Sequence, residues 1–201
     1  MSRILTFLFY VDGLENKIWR IAEFDDEKCI ASLAYFALAT FNSLACRYYK
    51  IEDEDCRYDS MVPPIILDGT PFKDGTKLKL SSLNLYEDKE LTMQYDLDHP
   101  IYIKIRYLGQ KNESDLKTFY PKLISGKGKG IIENVDSSKL KEIIKDIDSR
   151  GYSIHKYSTQ YDNEGIYDYR EYDANIDQSF IKDLYLMIKA SYERFILKKN
   201  N

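Results

Sequence analysis

Residues 101–107 read IYIKIRY, a run in which isoleucines alternate with polar or amphipathic side chains. Such alternation is typical of a β-strand that buries one face. The run ELTMQYD (90–96) predicts a partner strand just before it. Pro100 stands at the start of the second strand, where a missing N–H is tolerated. This pair predicts an antiparallel sheet and therefore sets the fold class.

A second strand pair lies near the start of the chain. RILTFLFYV (3–11) and KIWRIAEF (17–24) are predicted strands, and Asp12-Gly13 between them is a turn pair. Trp19 and Arg20 belong to the second of these strands. We expect the tryptophan to anchor the core and the arginine to pair with an acidic side chain.

Three helices are predicted by apolar residues that recur at three and four positions. The remaining predicted elements are a strand at CRYYKI (46–51), a short strand and turn over 77–85, and helices over about 27–42, 138–148 and 176–197. The capping residues are Asp25 or Asp26 for the first helix, and Asp136, Ser137 or Ser138 with a closing Gly151 for the second. No repeat or linker divides the chain. The sequence predicts one α+β domain over residues 1–201, with a mostly antiparallel sheet packed by about three helices.

Composition limits the function classes. The 201 residues carry a net charge of −4, which argues against a general grip on nucleic-acid backbone. Three cysteines without a C-x-x-C pair indicate reduced thiols. The opening MSRILTFLFYVDG is too short an apolar run to span a membrane. We expect a cytoplasmic protein without a membrane partner.

Three stretches, in this order, resemble a known family: KIWR (17–20), YDLDHPIYIKI (95–105) and YPKLISGKGKGIIEN (120–134). The family is the plasmid open-reading-frame-three-like family, first named from an Ri plasmid and also found as a transposon passenger protein. The resemblance covers about residues 3–188. It implies a compact α+β domain of mobile genetic elements with no established general activity. The matching positions are Trp19, Arg20, Tyr95, Asp96, Tyr120, Pro121, Gly126, Lys127, Gly128 and Glu133.

The chain departs from the family pattern at four places. Leu33-Ala34 stands where relatives tend to carry Leu-His, and Ser43-Leu44 where a second His-Leu tends to follow. The segment Tyr95–Pro100 lacks the glycine and tryptophan of the pattern, and Glu133–Ser137 replaces its acidic, glycine-rich end. If these groups build a polar site in relatives, this chain has lost part of it.

The glycine-lysine alternation of residues 126–130 poses the question of phosphate binding. A phosphate loop of the Walker type ends in Lys followed by Ser or Thr and leads directly into a helix. Here Ile131 follows soon after Lys129, and the next predicted helix starts only near residue 138. That distance is too long for the helix N-terminus to face a bound phosphate. We expect a structural loop or an exposed lysine rim, with anion binding as the alternative.

Asp96, Asp98 and His99 lie within four residues at a predicted strand end. Two carboxylates and an imidazole could bind a metal or perform acid–base chemistry. Asp residues before a strand are equally typical of an ordinary turn. With two histidines in the whole chain, we expect no metal and no cofactor, and the three residues remain the only catalytic candidates.

A tyrosine-rich, acidic segment, YDNEGIYDYREYDANID, covers residues 161–177. Rigid aromatics among carboxylates suit a basic, nucleic-acid-binding groove on a partner. In an extended chain, Tyr167 and Tyr169 share one face. The competing interpretation is that the tyrosines pack on the last helix. The predicted partner-binding residues are Tyr161, Tyr167, Asp168, Tyr169, Glu171, Tyr172 and Asp173.

Three functions follow as hypotheses. The first is a non-enzymatic interaction protein of a phage, plasmid or transposon that binds and modulates or inhibits a host protein. The target would be a nucleic-acid-binding protein or a defence protein, as for an anti-CRISPR. The second is a metal-dependent nucleic-acid processing enzyme that uses Asp96, Asp98 and His99. The third is a nucleic-acid-binding regulator with contacts from Lys127 and Lys129, for which the acidic balance is adverse.

Overall fold

The computed structural model describes residues 3–54, 56–59, 72–112, 118–157, 165–172 and 178–197, the side chains of 195–197 excepted. The strands are β1 (Arg3–Val11), β2 (Trp19–Asp25), β3 (Tyr49–Glu52), β4 (Arg57–Asp59), β5 (Phe72–Asp74), β6 (Glu90–Tyr95), β7 (Ile101–Asn112), β8 (Lys122–Lys127), β9 (Lys156–Tyr157) and β10 (Gly165–Ile166). The α-helices are α1 (Ala31–Thr40), α2 (Ser137–Arg150) and α3 (Gln178–Leu197).

Within the described residues, eight strands form one sheet in the order β5-β4-β3-β6-β7-β1-β2-β8. All neighbours are antiparallel except β4 and β5. The predicted pair of residues 90–96 and 101–107 is confirmed as β6 and β7, and the predicted hairpin as β1 and β2. The mostly antiparallel α+β fold is therefore confirmed.

The core lies on one face of this sheet. Phe9 and Phe24 of the sheet contact Phe36 of α1, and Phe24 also contacts Phe7 and Phe9; the ring centroids in these pairs are 5.3–5.9 Å apart. Every residue of α1 from Ala31 to Leu38 is buried, because α3 packs on the side that the sheet leaves open. A helix that is apolar all round belongs in this middle layer.

The first helix begins later than predicted. We expected a start near residue 27 with an aspartate cap, but α1 starts at Ala31 without a side-chain cap. The preceding residues bond elsewhere: Ile30 N donates to Leu78 O, and Ala31 N donates to Gly75 O. Asp26 instead accepts from the Arg3 side chain at 2.7 Å. These bonds to distant segments hold the backbone outside the helix.

The second helix agrees with its predicted caps. Asp136 Oδ1 accepts from Lys139 N at 2.8 Å, and Gly151 closes α2 with φ of 78°. Residues 77–85 were predicted as a strand and turn, whereas Leu80–Ser82 form a 3₁₀ turn. The strands β4, β5, β8, β9 and β10 were not predicted.

Candidate functional site

Arg20 joins three segments that are distant in sequence. Its Nη2 donates to Thr40 O at 2.8 Å and to Gly128 O at 2.7 Å. Its Nη1 donates to Lys127 O and to Trp19 O, both at 2.7 Å. Its Nε donates to Thr40 O at 3.1 Å. The guanidinium therefore ties β2 to the end of α1 and to the end of β8.

The surroundings of this guanidinium are aromatic and dry. The Tyr172 ring lies 3.9 Å from the Arg20 Cζ atom, and the Phe41 ring lies 4.8 Å from it. Burial lowers the pKa of Arg20 to about 10, because the charged form has lost its water. The predicted acidic partner is wrong, since carbonyl oxygens take that place. Trp19 also departs from its prediction: it is only partly buried and points to the other face of the strand.

The glycines beside this arginine are needed for close packing. Gly128 has φ of +79°, and a Cβ there would lie 2.2 Å from Lys17 O. Gly130 has φ of +118°, and a Cβ there would lie 2.2 Å from Phe41 O. Any side chain would collide with backbone at both positions. Lys127 turns outward, where its Nζ donates to Asn16 O at 3.0 Å. Lys129 Nζ instead lies 4.6 Å from the centre of the Tyr157 ring, and this side chain is only 21% exposed. This geometry favours the structural interpretation of residues 126–130, of which Gly126 and Lys127 belong to β8.

Glu133 forms a second junction next to the first. Its Oε1 accepts from Ser43 Oγ at 2.8 Å, from Leu44 N at 2.5 Å and from the Tyr95 hydroxyl at 3.3 Å. Burial raises the pKa of Tyr95, so this hydroxyl keeps its proton and remains a donor. Glu133 and Tyr95 therefore connect the segment after α1, the end of β6 and the loop before α2.

The predicted catalytic trio is only partly assembled. Asp96 is buried with φ of 62°, and its Oδ1 accepts from Asp98 N at 2.9 Å, as in a turn closed by an aspartate side chain. Its Oδ2 lies 3.6 Å from His99 Nδ1 and 3.9 Å from Arg47 Nε. The Asp98 side chain is exposed. Within the described ranges, no group of three or more His, Cys, Asp or Glu side chains could hold a metal ion.

The tyrosine-rich segment turns its two central tyrosines inward. Tyr167 has 0% exposure and donates to Gly130 O at 2.6 Å, with its ring 5.9 Å from that of Tyr157. Tyr169 is buried and donates to Asp148 Oδ1 of α2 at 2.5 Å. The prediction that these two side chains contact a partner is wrong, because burial removes them from the surface. Their contacts also lie on the glycine loop and α2 rather than on the last helix.

The neighbouring predicted residues are engaged in different ways. Asp168 pairs with Arg170, with the closest oxygen–nitrogen distance 2.5 Å. Glu171 accepts from Lys129 Nζ at 3.1 Å and remains exposed. Tyr172 stacks on the Arg20 guanidinium, as described above. The other two predicted partner residues, Tyr161 and Asp173, lie outside the described residues.

A surface that the sequence reasoning missed lies on the same segment. β9 and β10 form a small hairpin in which Ile166 is opposite Lys156. Tyr167 N donates to His155 O at 2.6 Å, so the pairing continues and places Ile154 on the same side as Lys156 and Ile166. Ile154 is 55% exposed and Ile166 is 59% exposed. The sequence carries this signal as two isoleucines, one two residues before Lys156 and the other ten residues after it.

The mostly antiparallel sheet with helices on one face defines an α+β domain. The residues of the sequence motifs meet in this domain around the end of α1. The chain belongs to the plasmid pRiA4b ORF-3-like protein family, whose model matches residues 3–176. The family predicted from the three sequence motifs is thereby confirmed. Membership is consistent with a protein of mobile genetic elements. The family match ends before α3 begins.

Among solved structures, the chain resembles the crystal structure of the protein of unknown function MM3350 from Methanosarcina mazei Go1. The TM-score is 0.63 at 17% sequence identity, over 74% of this chain and 83% of that one. At this identity, the likeness extends to the fold alone. A comparison with curated proteins found no match. As for membranes, the described helices include none that is long and apolar enough to cross one.

Proposed function

We propose that this protein is a non-enzymatic interaction protein of a mobile genetic element, which binds and modulates a host protein in the cytoplasm. Family membership supports the mobile-element setting. The state of the motif residues supports a role without catalysis. The polar groups of Arg20 and Glu133 form hydrogen bonds to backbone and neighbouring side chains. Groups held in this way stabilise the fold and are not free to react with a substrate.

The observation that carries this proposal is the outer side of the β9–β10 hairpin. We call Ile154, Lys156 and Ile166 the hairpin face. Its two isoleucines are 55% and 59% exposed. Exposed apolar groups that lie together are typical of protein-binding surfaces.

The hairpin face has a firm support. On the opposite side of the strands, Tyr157 and Tyr167 are buried. The Tyr167 hydroxyl anchors the hairpin to Gly130 O, and Arg20 holds the preceding residue pair of that loop, Lys127 and Gly128. A surface that is already ordered loses little conformational entropy on binding. The residues of the family motif would thus support the interaction by holding the backbone beneath the hairpin face in place.

The proposed partner class is a host nucleic-acid-binding or defence protein, as for an anti-CRISPR. The net charge of −4 supports a basic partner, because opposite charge steers association. Steering of this kind weakens with salt.

A capture experiment tests this proposal. Tagged protein is incubated with host extract, and the bound proteins are quantified by mass spectrometry. The variant Ile154→Asp with Ile166→Asp is expected to lose a captured host protein by about thirtyfold or more, the size of a hot-spot loss. Leu108→Asp is the matched control, because Leu108 is 42% exposed on β7 and lies outside the hairpin face. Equal capture by a folded double variant would remove this face from the proposal.

A further inference from the structure

A cavity of about 520 Å³ lies between the start of α1 and the last turns of α3. Glu27, Lys28, Cys29 and Ser32 line it from the α1 side, and Lys189 and Glu193 line it from α3. Its size is in the range of small-molecule sites. Because α3 lies beyond the residues 3–176 that match the family, the wall that completes this cavity comes from outside the matched region.

The floor of the cavity is a chain of small polar groups. Ser32 is fully buried and accepts from the Tyr185 hydroxyl at 3.0 Å. Its Oγ lies 3.2 Å from the Cys29 thiol sulfur. Burial raises the pKa of Tyr185 to about 12, so this hydroxyl remains a donor. The floor is therefore uncharged and able to form hydrogen bonds.

The charged groups on the walls are unevenly neutralised. Glu27 already forms an ion pair with Lys79. Glu193 pairs with the Lys189 ammonium at 3.9 Å, a long distance for an ion pair, and burial raises the pKa of Glu193. The Lys28 ammonium lies 5.5 Å from the centre of the Phe119 ring, and within the described part of the chain no carboxylate is in ion-pair distance of it. Within the described residues, one ammonium of the cavity thus has no carboxylate partner, and one carboxylate has an ammonium only at the outer limit of an ion pair.

We propose that this cavity binds a small zwitterion of the amino-acid or dipeptide class, with the ligand carboxylate at Lys28 and the ligand ammonium at Glu193. A partly desolvated charge is stabilised by an opposite charge and by hydrogen bonds. A ligand with one sign only would satisfy one wall and be repelled by the other. The hydroxyl and thiol of the floor add hydrogen-bonding groups between the two ends. This site lies apart from the hairpin face and goes beyond the proposed interaction.

Thermal unfolding with added ligands gives the first test. The probes are the free amino acids and glycylglycine, each at about 10 mM, because a ligand that binds the native state raises Tm by mass action. Acetate and methylammonium at the same concentration carry the two charges separately. At least one zwitterion is expected to raise Tm, while neither single-charge probe does. No shift with any zwitterion, or an equal shift with acetate, would overturn the assignment.

Calorimetric titration of variants gives the second test, with the zwitterion that shifts Tm most. Lys28→Gln and Glu193→Gln are each expected to weaken its binding about tenfold or more. Lys145→Gln and Asp183→Asn are the matched controls, since both side chains are exposed and neither lines the cavity. Unchanged affinity in either cavity variant contradicts the proposal. The hairpin-face variant is expected to bind the zwitterion normally, which separates this site from the proposed function.

Discussion

Replacing Arg20 is the most informative perturbation of the fold, because one side chain holds the ends of α1, β2 and β8 together. Arg20→Met removes the guanidinium but keeps most of the side-chain volume. The Arg20 side chain donates five hydrogen bonds, and the acceptors are the carbonyl oxygens of Thr40, Lys127, Gly128 and Trp19. The methionine leaves these buried oxygens without their donors.

The expected loss follows from two opposing contributions. Hydrogen bonds from a charged donor contribute about 1.5–3 kcal/mol each, so the five bonds sum to roughly 7–15 kcal/mol. Desolvation opposes this: the pKa of Arg20 falls from 12.5 to about 10, which corresponds to about 3 kcal/mol against the charged form. The freed carbonyls recover part of the remainder by bonding water or by small shifts. We therefore expect Arg20→Met to lose about 4 kcal/mol of unfolding free energy, since each of the four buried carbonyl groups costs about 1–3 kcal/mol when it is left without a donor.

Urea unfolding measures this loss, since a change in midpoint at constant slope reports stability alone. Arg20→Lys is expected to lose about 2–3 kcal/mol, because an ammonium keeps the charge but not the planar fork. Arg170→Met serves as the control: Arg170 is exposed and pairs with Asp168, and we expect no measurable change. Breaking a buried hydrogen-bond network costs more than an ordinary substitution. A loss below about 1 kcal/mol in Arg20→Met would therefore refute the reasoning.

Further predictions concern the glycine loop, a buried acid and the lysines. Gly130→Ala is expected to cost at least about 3 kcal/mol, because its Cβ meets Phe41 backbone; Gly151→Ala, also at positive φ but with open space around it, should cost about 1 kcal/mol. Burial raises the pKa of Asp59, so the native state binds this proton more tightly and stability falls as pH rises from about 4 through the raised pKa. Asp59→Asn should therefore gain stability relative to wild type across that window in urea titrations, and a pH-independent difference would contradict this. Lys127→Ala with Lys129→Ala should leave the fold intact and show no ATP binding by calorimetry, whereas saturable binding in wild type that the variant loses would contradict the structural interpretation of the loop.

Local signals in the sequence were sufficient for much of the fold. The alternation of residues 101–107 gave β7, and the Asp12-Gly13 turn gave the first hairpin. Asp136 and Gly151 fixed the ends of α2 because capping depends on neighbouring backbone. The start of α1 could not be found in this way. It depends on bonds from Ile30 and Ala31 to residues some 45 positions later, and tertiary contacts of this kind override local propensity.

The residues of the candidate site were harder to predict, because the role of each side chain depends on whether it is buried or exposed. Tyr167 and Glu171 are similar candidates in sequence, yet one is fully buried and the other is exposed. The partners of Arg20 were equally hard to predict, since an acidic side chain is the usual expectation for an arginine. The carbonyl oxygens that it meets come from segments that are brought together only by the β2–β8 pairing. The family motif indicated which residues form these contacts, but not the role of the contacts.

The binding of a host protein through the hairpin face is tested most directly by hydrogen exchange. Exchange is followed by mass spectrometry in the protein alone and in its complex with the captured partner. We predict that backbone amides of residues 152–157 and 165–172 exchange about tenfold or more slowly in the complex, because bound partners suppress local opening. Protection confined to other parts of the chain, such as the outer face of β6 and β7, would contradict the account.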